Sequence, residues 1–319
     1  MLIKNNKVSL HDESKIPFRQ KGKGSKRLLS MAIQTLLAEN GGIILIDEIE
    51  QGLEPDRVQH IVSTLKKNDN IQTFITTHSS NVIVELDASD LYLLSKENGF
   101  LRNVSRSLQG NIRRNPEALF AKRIVVCEGA TEVGICRAVN DFLIGENRIN
   151  AAHKGIRFVD GNGANFINDC LAFKKLNFDV VAFCDSDDKI INQKKGRLTE
   201  KGIEIIDCDK GNSIENQIFQ DLPWGGIIKL VKYQEEKPSS QSVKDQVEHY
   251  LGTHLLNNWM QQDSKELRKA IGISSISGEW FKRIDHGQFL GLVVCQNLRL
   301  MEGKKLKYQI EKFISWINR

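Results

Sequence analysis

Two kinds of hydrophobic pattern alternate along the first part of the chain, up to about residue 115. The stretch 25–40 has apolar residues at helical spacing and ends in Asn-Gly-Gly, which predicts a helix and its stop. The apolar run at 43–46 predicts a strand, the stretch that Pro55 opens predicts a helix, and 72–79 predicts a further strand that ends in polar residues. Two strands joined through a helix are typical of a parallel sheet, so this segment is predicted to be α/β.

A second unit with the same alternation begins near Lys122. Strand patterns at 123–129, 155–163 and 179–188 are separated by two helical patterns, which makes a β-α-β-α-β series. Between the two units, Asn98-Gly99 predicts a hairpin turn. In a parallel α/β sheet, functional residues gather at the carboxyl ends of the strands.

The pattern beyond about residue 225 is mostly helical. Apolar residues recur at helical spacing over 242–260, 264–272 and 304–319. The stretch 232–242 is polar, includes a proline and is predicted to be a linker. The whole chain is therefore predicted to be α/β with a helical C-terminal region.

The composition is that of a globular protein without a membrane segment. Of 319 residues, 40% are hydrophobic and 27% are charged, and no run approaches the roughly 18 apolar residues of a membrane span. The N-terminus lacks the apolar stretch of a signal peptide, so a cytoplasmic protein is expected. The net charge of +5 is compatible with a polyanionic partner but does not identify one.

The cysteines are scattered along the chain from residue 127 onward without a Cys-x-x-Cys pair. Several lie in apolar stretches, which indicates buried, reduced thiols and disfavours a zinc site. The six are Cys127, Cys136, Cys170, Cys184, Cys208 and Cys295.

Polar residues suited to nucleotide chemistry follow the strands of the first segment. Asp47 and Glu48 end the strand at 43–46, where a nucleotide hydrolase uses one acid for Mg²⁺ and the next for the attacking water. His78 follows the next strand and is placed to sense a γ-phosphate, although a lone histidine there is often structural. A glycine-rich turn before a helix offers backbone N–H groups to phosphate, or is simply a flexible loop. Its residues are Gly22, Gly24, Ser25 and Lys26.

In this order, the motifs resemble the C-terminal half of an ABC-type ATPase head. The resemblance includes a signature motif from Gly22 to Arg27, a Walker B strand at 43–48, a D-loop-like segment at 52–55 and a switch histidine at His78. No G-x-x-x-x-G-K-[ST] motif occurs in the sequence, so the Walker A part is missing. The resemblance implies that ATP binds only with a complementary half, from a longer protein, a homodimer or a partner chain.

Carboxylates at the ends of two strands form a second candidate site. Glu128 follows one strand, Glu132 lies one helical turn later, and Asp185 and Asp187 follow another strand. Adjacent strand ends lie about 5 Å apart, so these acids can share one or two divalent cations, and oxygen ligands favour Mg²⁺ or Mn²⁺. In the alternative interpretation, Glu128 starts a helix and Asp-Ser-Asp-Asp is an acidic turn.

The segments CEGATE, DGNGAN and CDSDD resemble the Toprim domain of the OLD (overcoming lysogenization defect) nuclease family. In that family the Toprim domain follows an ABC-type ATPase head, which is the order found here. The resemblance implies that Glu128 and Asp185 are the principal metal ligands. It implies that Glu132 and Asp187 serve the second metal or position water.

The same resemblance implies two further groups. A further acid has its candidate in Glu215, although a solvated acid at a helix start fits that position equally well. A lysine from the C-terminal region has its candidate in Lys282. The loop Gly161-Asn162-Gly163 is expected to shape the site rather than to bind metal.

The predicted organisation is a partial ATPase head at 1–115, a Toprim domain at 120–225 and a mostly helical region at 226–319. The implied function is metal-dependent cleavage or nicking of DNA, and a role in phage defence would be a family analogy. Topoisomerase and primase activities are disfavoured because a tyrosine-bearing domain and a polymerising apparatus are not evident. The alternative is a non-catalytic ATP- or DNA-binding module that completes a partner's ATPase site, but retention of all four carboxylates favours the nuclease.

The C-terminal region contains a group of lysines with two possible interpretations and three tryptophans. Lys304, Lys305 and Lys307 either form a solvated helix face or track DNA, and the solvated face is favoured. The tryptophans of this region are expected in or near its core. They are Trp259, Trp280 and Trp316.

Overall fold

The computed structural model describes residues 2–4, 7–11, 13–94, 99–237 and 242–319. The chain forms two compact units, Met1–Tyr92 and Leu93–Arg319. Parallel sheets with connecting helices occur in both, which confirms the predicted α/β fold class.

The first unit contains the two-stranded parallel sheet that the sequence predicts. Gly42 of one strand lies opposite Ile71 of the other, and Ile46 lies opposite Ile75. Pro55 is the first residue of the connecting helix, where its missing N–H has no intrahelical partner to lose. The elements are β1 (Leu2–Lys4), β2 (Lys7–Ser9), α1 (Lys23–Leu37), β3 (Gly42–Ile46), α2 (Pro55–Lys66), β4 (Ile71–Ile75) and α3 (Ser80–Ile83).

The two faces of the β3–β4 sheet differ in exposure. Ile44 and Ile46 are buried in a core that includes Val58 of α2. Ile43 and Leu45 alternate with them along β3 and are exposed, because successive side chains of a strand point to opposite faces. The core of this unit is therefore confined to one side of the sheet.

The second unit contains a larger sheet and most of the helices. Its strands and helices are β5 (Tyr92–Leu94), β6 (Leu101–Asn103), α4 (Gln109–Arg114), β7 (Arg123–Cys127), α5 (Ala130–Gly145), β8 (Ile156–Asp160), α6 (Phe166–Lys175), β9 (Asp179–Cys184), α7 (Lys189–Glu200), β10 (Glu204–Asp207), α8 (Ile214–Asp221), α9 (Trp224–Glu235), α10 (Val243–Leu251), α11 (Lys265–Ser277), α12 (Ile284–Gln296) and α13 (Lys305–Asn318). β5 pairs with β6, and Asn98 of the predicted hairpin turn lies outside the described residues.

The four-stranded sheet of this unit is parallel and has the order β10-β9-β7-β8. The predicted β-α-β-α-β series corresponds to β7, α5, β8, α6 and β9, each of which the structure contains. The structure adds α7 and β10, which extend the sheet beyond β9. Cys127 at the end of β7 lies opposite Phe183 of β9 on one side and Asp160 of β8 on the other. The residues that follow these strands therefore meet at one edge.

The helix predicted over 242–260 is wrong in its second half. α10 ends at Leu251 because Gly252 adopts a left-handed conformation, with φ of 75°. The Gly252 N–H donates to the Glu248 carbonyl at 2.9 Å, which closes the end of the helix.

The linker predicted over 232–242 is wrong in its first part. Helix α9 continues to Glu235, with Leu230, Val231 and Gln234 buried along one side. Residues 238–241 lie outside the described residues. The polar residues at the start of this stretch therefore belong to the exposed side and the end of α9, and not to a linker.

Helices α5 and α12 pack closely through glycines. A methyl group added at Gly134 would lie 2.4 Å from the Ile284 carbonyl oxygen, and one added at Gly287 would lie 2.5 Å from that of Thr131. The Thr131 hydroxyl also donates to the Phe281 carbonyl at 2.9 Å. The first turn of α5, which follows β7, is thus held by the C-terminal helices.

One hydrophobic core joins the sheet to the C-terminal helices. The Phe183 ring of β9 contacts Phe313 of α13, with centroids 5.7 Å apart. The Arg123 guanidinium lies over the Trp316 ring at 3.8 Å and donates to the Trp316 carbonyl at 2.7 Å. The prediction that Trp259, Trp280 and Trp316 lie in the core is confirmed, since all are buried.

The six cysteines are free and buried, as predicted. Burial raises the pKa of the Cys127 and Cys170 thiols well above the usual range and that of Cys295 to about 12. Within the described parts of the chain, no helix is both long enough and apolar enough to cross a membrane.

Candidate functional site

Glu128 and Asp185 follow neighbouring strands, β7 and β9, and their side chains and backbone interact. The Asp185 backbone N–H donates to Glu128 Oε2 at 3.0 Å. The Glu128 N–H donates to the Phe183 carbonyl at 3.0 Å, which fixes the end of β7 against β9. The prediction that the two strands are adjacent and bring these residues together is confirmed.

Two helix starts add carboxylates to the same edge. Glu132, in the first turn of α5, is 4% exposed, and its Oε2 accepts the Gly129 N–H at 2.9 Å. Asp185 Oδ1 accepts the Ile214 N–H at 2.7 Å, which ties the end of β9 to the start of α8. Glu215 follows in the first turn of α8 and is 1% exposed. The alternative of a solvated helix-start acid is therefore wrong for Glu215.

The electrostatics of this edge are those of crowded, buried acids. Burial and the nearby Glu215 raise the pKa of Glu132 to about 8. Burial, Glu132 and Glu215 raise the pKa of Asp185 well above its usual range. Burial also raises the pKa of Glu128, with Asp187 adding to the shift. We call Glu128, Glu132, Asp185, Asp187 and Glu215 the carboxylate cluster.

Glu215 provides the test of whether these residues fit a divalent cation. Both of its carboxylate oxygens are buried, and neither accepts a hydrogen bond from any described residue. A buried carboxylate without a hydrogen-bond donor is costly, the Lys282 ammonium 3.8 Å from Oε1 offsets part of that cost, and a bound cation would offset more of it. Among the described residues, no three His, Cys, Asp or Glu side chains are arranged closely enough to hold an ion as they stand. The donor set suits Mg²⁺ or Mn²⁺, and several of its oxygens accept backbone N–H groups instead.

Lys282 lies next to the carboxylate cluster. Its Nζ is 3.8 Å from Glu215 Oε1, and its side chain is 50% exposed. Partial burial opposes the charged form, but attraction by Glu215, Glu132 and Asp185 outweighs it and raises the pKa of the amine. The structure thus brings the predicted lysine and the predicted further acid together.

The two aspartates after Asp185 differ in what they contact. Asp187 is exposed, and it raises the pKa of Glu128 and of Asp185 by repulsion. Asp188 caps α7, with its Oδ1 accepting the Ile190 N–H at 2.6 Å and the Ile191 N–H at 3.0 Å. The acidic-turn interpretation therefore applies to Asp188.

The loop after β8 lies against the end of β7. The Gly161 N–H donates to the Cys127 carbonyl and the Gly163 N–H to the Glu128 carbonyl, each at 2.8 Å. A methyl group at Gly161 would lie 2.9 Å from the Cys127 oxygen, so this approach requires glycine. The loop supports Glu128 through the backbone.

Lys195 of α7 is a site residue that the sequence analysis missed. Its Nζ donates to the Asp185 carbonyl at 2.6 Å, to Ser186 Oγ at 3.1 Å and to Asp207 Oδ2 at 3.2 Å. The only signal in the sequence is its position between Ile191 and Leu198 on the buried side of an amphipathic helix.

In the first unit, Asp47 and Glu48 follow β3 as predicted and are exposed. Thr76, just after β4, links the two: its hydroxyl donates to Asp47 Oδ1 at 2.5 Å and accepts the Glu48 N–H at 2.8 Å. Arg27 of α1 donates to the carbonyls of Asp47 and Glu48, the latter at 2.8 Å. Glu48 has a left-handed backbone, with φ of 46°.

The predicted glycine-rich turn is wrong in its extent. Helix α1 begins at Lys23 with Gly22 as its N-cap, so Gly24, Ser25 and Lys26 lie in the helix. A methyl group at Gly24 would lie 2.3 Å from the Gly52 carbonyl oxygen. Gly24 therefore allows the start of α1 to approach the segment that the sequence analysis compares with a D-loop.

His78 follows β4 and is exposed, with its backbone N–H donating to Glu50 Oε1 at 2.7 Å. The neighbouring Thr77 hydroxyl donates to Glu50 Oε2 at 2.8 Å. Glu50, which the sequence analysis did not single out, thus fixes the turn that carries the histidine. The phosphate-sensing role of His78 stays a prediction.

Two family models match the chain, in the predicted order. Residues 6–85 match the model described as "AAA domain, putative AbiEii toxin, Type IV TA system". Residues 119–187 match the model described as "Overcoming lysogenization defect protein-like, TOPRIM domain". The second match contains Glu128, Glu132, Asp185 and Asp187.

Two curated proteins are similar to part of the chain. A protein named "Retron Ec83 probable ATPase" from Escherichia coli is 32% identical over 125 residues, which covers 35% of this chain and 22% of that protein. An "ATP/GTP phosphatase" from Helicobacter pylori is 33% identical over 92 residues, covering 26% of this chain and 25% of that protein. The chain thus spans about a quarter of the length of these relatives.

Solved structures of the C-terminal region of the OLD protein from Xanthomonas campestris pv. campestris are also similar. One is 14% identical, covers 63% of this chain and 96% of that chain, and has a TM-score of 0.39. Another is 15% identical, covers 62% and 97%, and has a TM-score of 0.37. These scores are too low for a detailed comparison, and the family rests on the matched sequence models. The chain contains an AAA-type ATPase-like domain followed by a Toprim domain of the OLD-like family.

Proposed function

We propose that this protein is an OLD-like endonuclease that cleaves or nicks DNA phosphodiesters at the carboxylate cluster, with a divalent metal ion as cofactor. The main support is Glu215, a fully buried carboxylate whose oxygens accept no hydrogen bond from the described residues. It lies where acids of β7, α5 and β9 also gather. One half-exposed lysine, Lys282, lies beside these acids, so much of their mutual repulsion is left for a bound cation to offset.

The residues of the cluster have distinct tasks in this proposal. Glu128 and Asp185 hold the principal metal ion, and Glu132, Asp187 and Glu215 hold a second ion or orient water. When bound, paired divalent ions activate water and stabilise the leaving oxygen of a phosphodiester. Backbone N–H groups of Asp185, Gly129 and Ile214 orient the carboxylates before any ion arrives.

Lys282 supplies a positive charge at the edge of the cluster. Half of its side chain is exposed, and the surrounding acids raise the pKa of its amine, which keeps it protonated. Such an ammonium group can bind a phosphate oxygen and stabilise the charge that develops on it. We assign Lys282 to this role, with Glu215 orienting it.

The ATPase-like domain is proposed to bind ATP only together with a Walker A segment. Its Asp47, Glu48 and His78 lie after neighbouring strands, and the sequence contains no P-loop lysine. A homodimer or a partner chain would bring the missing part, and ATP would then regulate cleavage. Full ATP hydrolysis by this chain alone is not expected.

Cleavage of supercoiled plasmid DNA tests the proposal. The purified chain, with Mg²⁺ or Mn²⁺ and without ATP, should convert plasmid to the nicked form, whereas Glu128→Gln and Asp185→Asn should lower the rate by at least about 10²-fold. Glu146→Gln, an exposed acid at the end of α5, is the matched control and should cleave like wild type.

Equal nicking by all four proteins would contradict the proposal, because the activity would not come from the carboxylate cluster. No nicking by the wild type with either metal would contradict cleavage by this chain alone. Addition of a P-loop-bearing partner would then decide between a dependent nuclease and a non-catalytic module.

A further inference from the structure

Helix α7 starts directly after the carboxylate cluster and runs along the edge of the sheet. Its inner side is fixed: Ile191 and Leu198 are buried, and Lys195 contacts Asp185, Ser186 and Asp207. These three residues recur at helical spacing, so the residues between them face outward. The orientation of the helix is therefore determined by packing.

The outward side of α7 is mainly basic, and Glu200 at the end of the helix is its one exposed acid. Lys189, Lys194 and Arg197 are exposed, and none forms an ion pair with a described carboxylate. Ile190, beside them, is 61% exposed. Cations without ion pairs that lie next to the proposed cleavage site are placed to bind the phosphates of its substrate.

The C-terminal lysines differ from this surface in their pairing. Lys305 Nζ is 3.7 Å from Asp207, and Lys307 contacts both Glu302 and Glu311. The acids offset much of the positive charge there. Lys305 and Lys307 are therefore paired with acids, whereas Lys189, Lys194 and Arg197 form no ion pair with a described carboxylate.

The spacing of the α7 cations suits a DNA strand. At 1.5 Å per residue, Lys189 and Arg197 are about 12 Å apart along the helix axis. Duplex DNA has a phosphate every 3.4 Å of its axis on each strand, so the helix spans about three phosphates. The surface is long enough to hold one strand on the approach to the carboxylate cluster.

We propose that Lys189, Lys194 and Arg197 form the surface that binds the phosphate backbone of duplex DNA and directs it to the carboxylate cluster. This inference rests on the proposed nuclease function. It assigns DNA contact to α7 and not to Lys304, Lys305 and Lys307. Recognition at this surface is electrostatic and independent of base sequence.

The salt dependence of binding tests the assignment. Fluorescence anisotropy of a labelled 30-base-pair duplex would be measured in EDTA from low to moderate NaCl, with wild type and with Lys189→Gln/Lys194→Gln/Arg197→Gln. Each lost phosphate contact lowers the slope of log K against log[NaCl] by about 0.9, so the slope should fall by about 2 to 3. Affinity at low salt should fall at least about tenfold.

Lys304→Gln/Lys305→Gln/Lys307→Gln is the matched control, since both triple variants remove three positive charges from a chain of net charge +5. The control should change the slope by less than about 1. Circular dichroism of both variants should match wild type, because glutamine keeps the helix propensity of lysine and arginine. An equal or larger effect of the control, or an unchanged slope for the α7 variant, would overturn the assignment.

The binding assay contains no metal, so its result is independent of cleavage. Salt-dependent binding that needs α7, without nicking, would support the surface and contradict cleavage by this chain alone. Nicking that needs Glu128 and is unaffected by the α7 variant would contradict the surface and support the nuclease.

Discussion

At the scale of single residues, Lys195 connects the carboxylate cluster to the last strand of the sheet. Its side chain is 12% exposed, and it contacts the Asp185 backbone, Ser186 and the Asp207 carboxylate. A buried cation with three acceptors fixes the geometry of the turn that presents Asp185 and Asp187. Lys195 is therefore a positioning residue that touches no substrate.

Replacing Lys195 should disturb both the fold and the metal site. Lys195→Gln leaves Asp207 and the Asp185 carbonyl without their charged donor, which should lower the free energy of unfolding by about 1–3 kcal/mol and weaken Mn²⁺ binding about tenfold. Urea unfolding and calorimetric Mn²⁺ titration measure the two effects. Lys194→Gln, the exposed neighbour, should change neither. Equal values for both variants would show that Lys195 positions nothing.

Asp169 is a buried acid away from the proposed chemistry. It is 2% exposed, and its Oδ2 accepts a hydrogen bond of 2.7 Å from Asn111. Burial raises the pKa of Asp169 from 3.8 to about 6, although the bond from Asn111 works in the opposite direction. At pH values between 3.8 and about 6, the folded protein therefore holds a proton here that the unfolded chain releases.

This proton makes stability depend on pH. Because the pKa is raised on folding, its contribution to stability is present below pH 3.8 and is lost as the pH rises through about 6. Asp169→Asn cannot titrate. The unfolding free energy of the variant minus that of the wild type should therefore rise by up to about 3 kcal/mol as the pH increases from 4 to 7. Urea unfolding at several pH values measures the difference, with Glu146→Gln as the control. A constant difference across this range would show that Asp169 titrates normally.

At the scale of elements, the crossing of α5 and α12 links the cluster to the C-terminal region. Gly134 and Gly287 allow backbone contact between the helices, and Gly291 lies where a methyl group would be 2.7 Å from the Ala138 side chain. The same α5 carries Glu132 in its first turn. A small shift of α12 would therefore move a residue of the carboxylate cluster.

A methyl group in this crossing should be strongly destabilising. Gly134→Ala would place it against the α12 backbone, so the unfolding free energy should fall by about 1–3 kcal/mol. Gly145→Ala, in the last position of the same helix with open space around it, should be neutral or slightly stabilising. Urea denaturation compares the two variants. Similar urea midpoints for the two variants would show that α5 and α12 can move apart to accept the methyl group without loss of unfolding free energy.

The sequence indicated the elements that have a strong periodic pattern. β3, β7 and β9 are mostly apolar and are followed by the acids that the pattern identified, whereas β4 and β8 mix apolar and polar residues. β10 was missed because Glu204–Asp207 has four residues with acids at both ends, and it becomes a strand by pairing with β9. Likewise, the partners of Lys195 and Glu215 come from separate elements, and only tertiary packing brings them together. Local patterns contain no such information.

At the scale of the whole molecule, the Toprim sheet and the C-terminal helices share one core. Phe313 of α13 contacts both Phe158 of β8 and Phe183 of β9, with centroid distances of 6.0 and 5.7 Å. Arg123 of β7 stacks on Trp316. Strands and helices up to 193 residues apart in sequence thus depend on each other for burial.

Removing Phe313 should therefore weaken the sheet as well as the helix. Phe313→Ala should lower the unfolding free energy by about 3–5 kcal/mol and speed amide exchange in β7 and β9. Tyr308→Ala, at an exposed position of the same helix, should cost less than about 0.5 kcal/mol. Hydrogen exchange with mass spectrometry resolves the strands. Faster exchange confined to α13 would indicate that the sheet has a core of its own.

The buried cysteines have a practical consequence for measuring such effects. All six belong to Leu93–Arg319, and each is buried. Thiol reagents attack the thiolate, which burial suppresses, so labelling has to wait until the surrounding structure opens. The chain thus carries six built-in reporters for the opening of the Toprim unit. The ATPase-like unit contains no cysteine, so a thiol reagent does not report its unfolding, and the labelling rate reports the opening of the Toprim unit by itself.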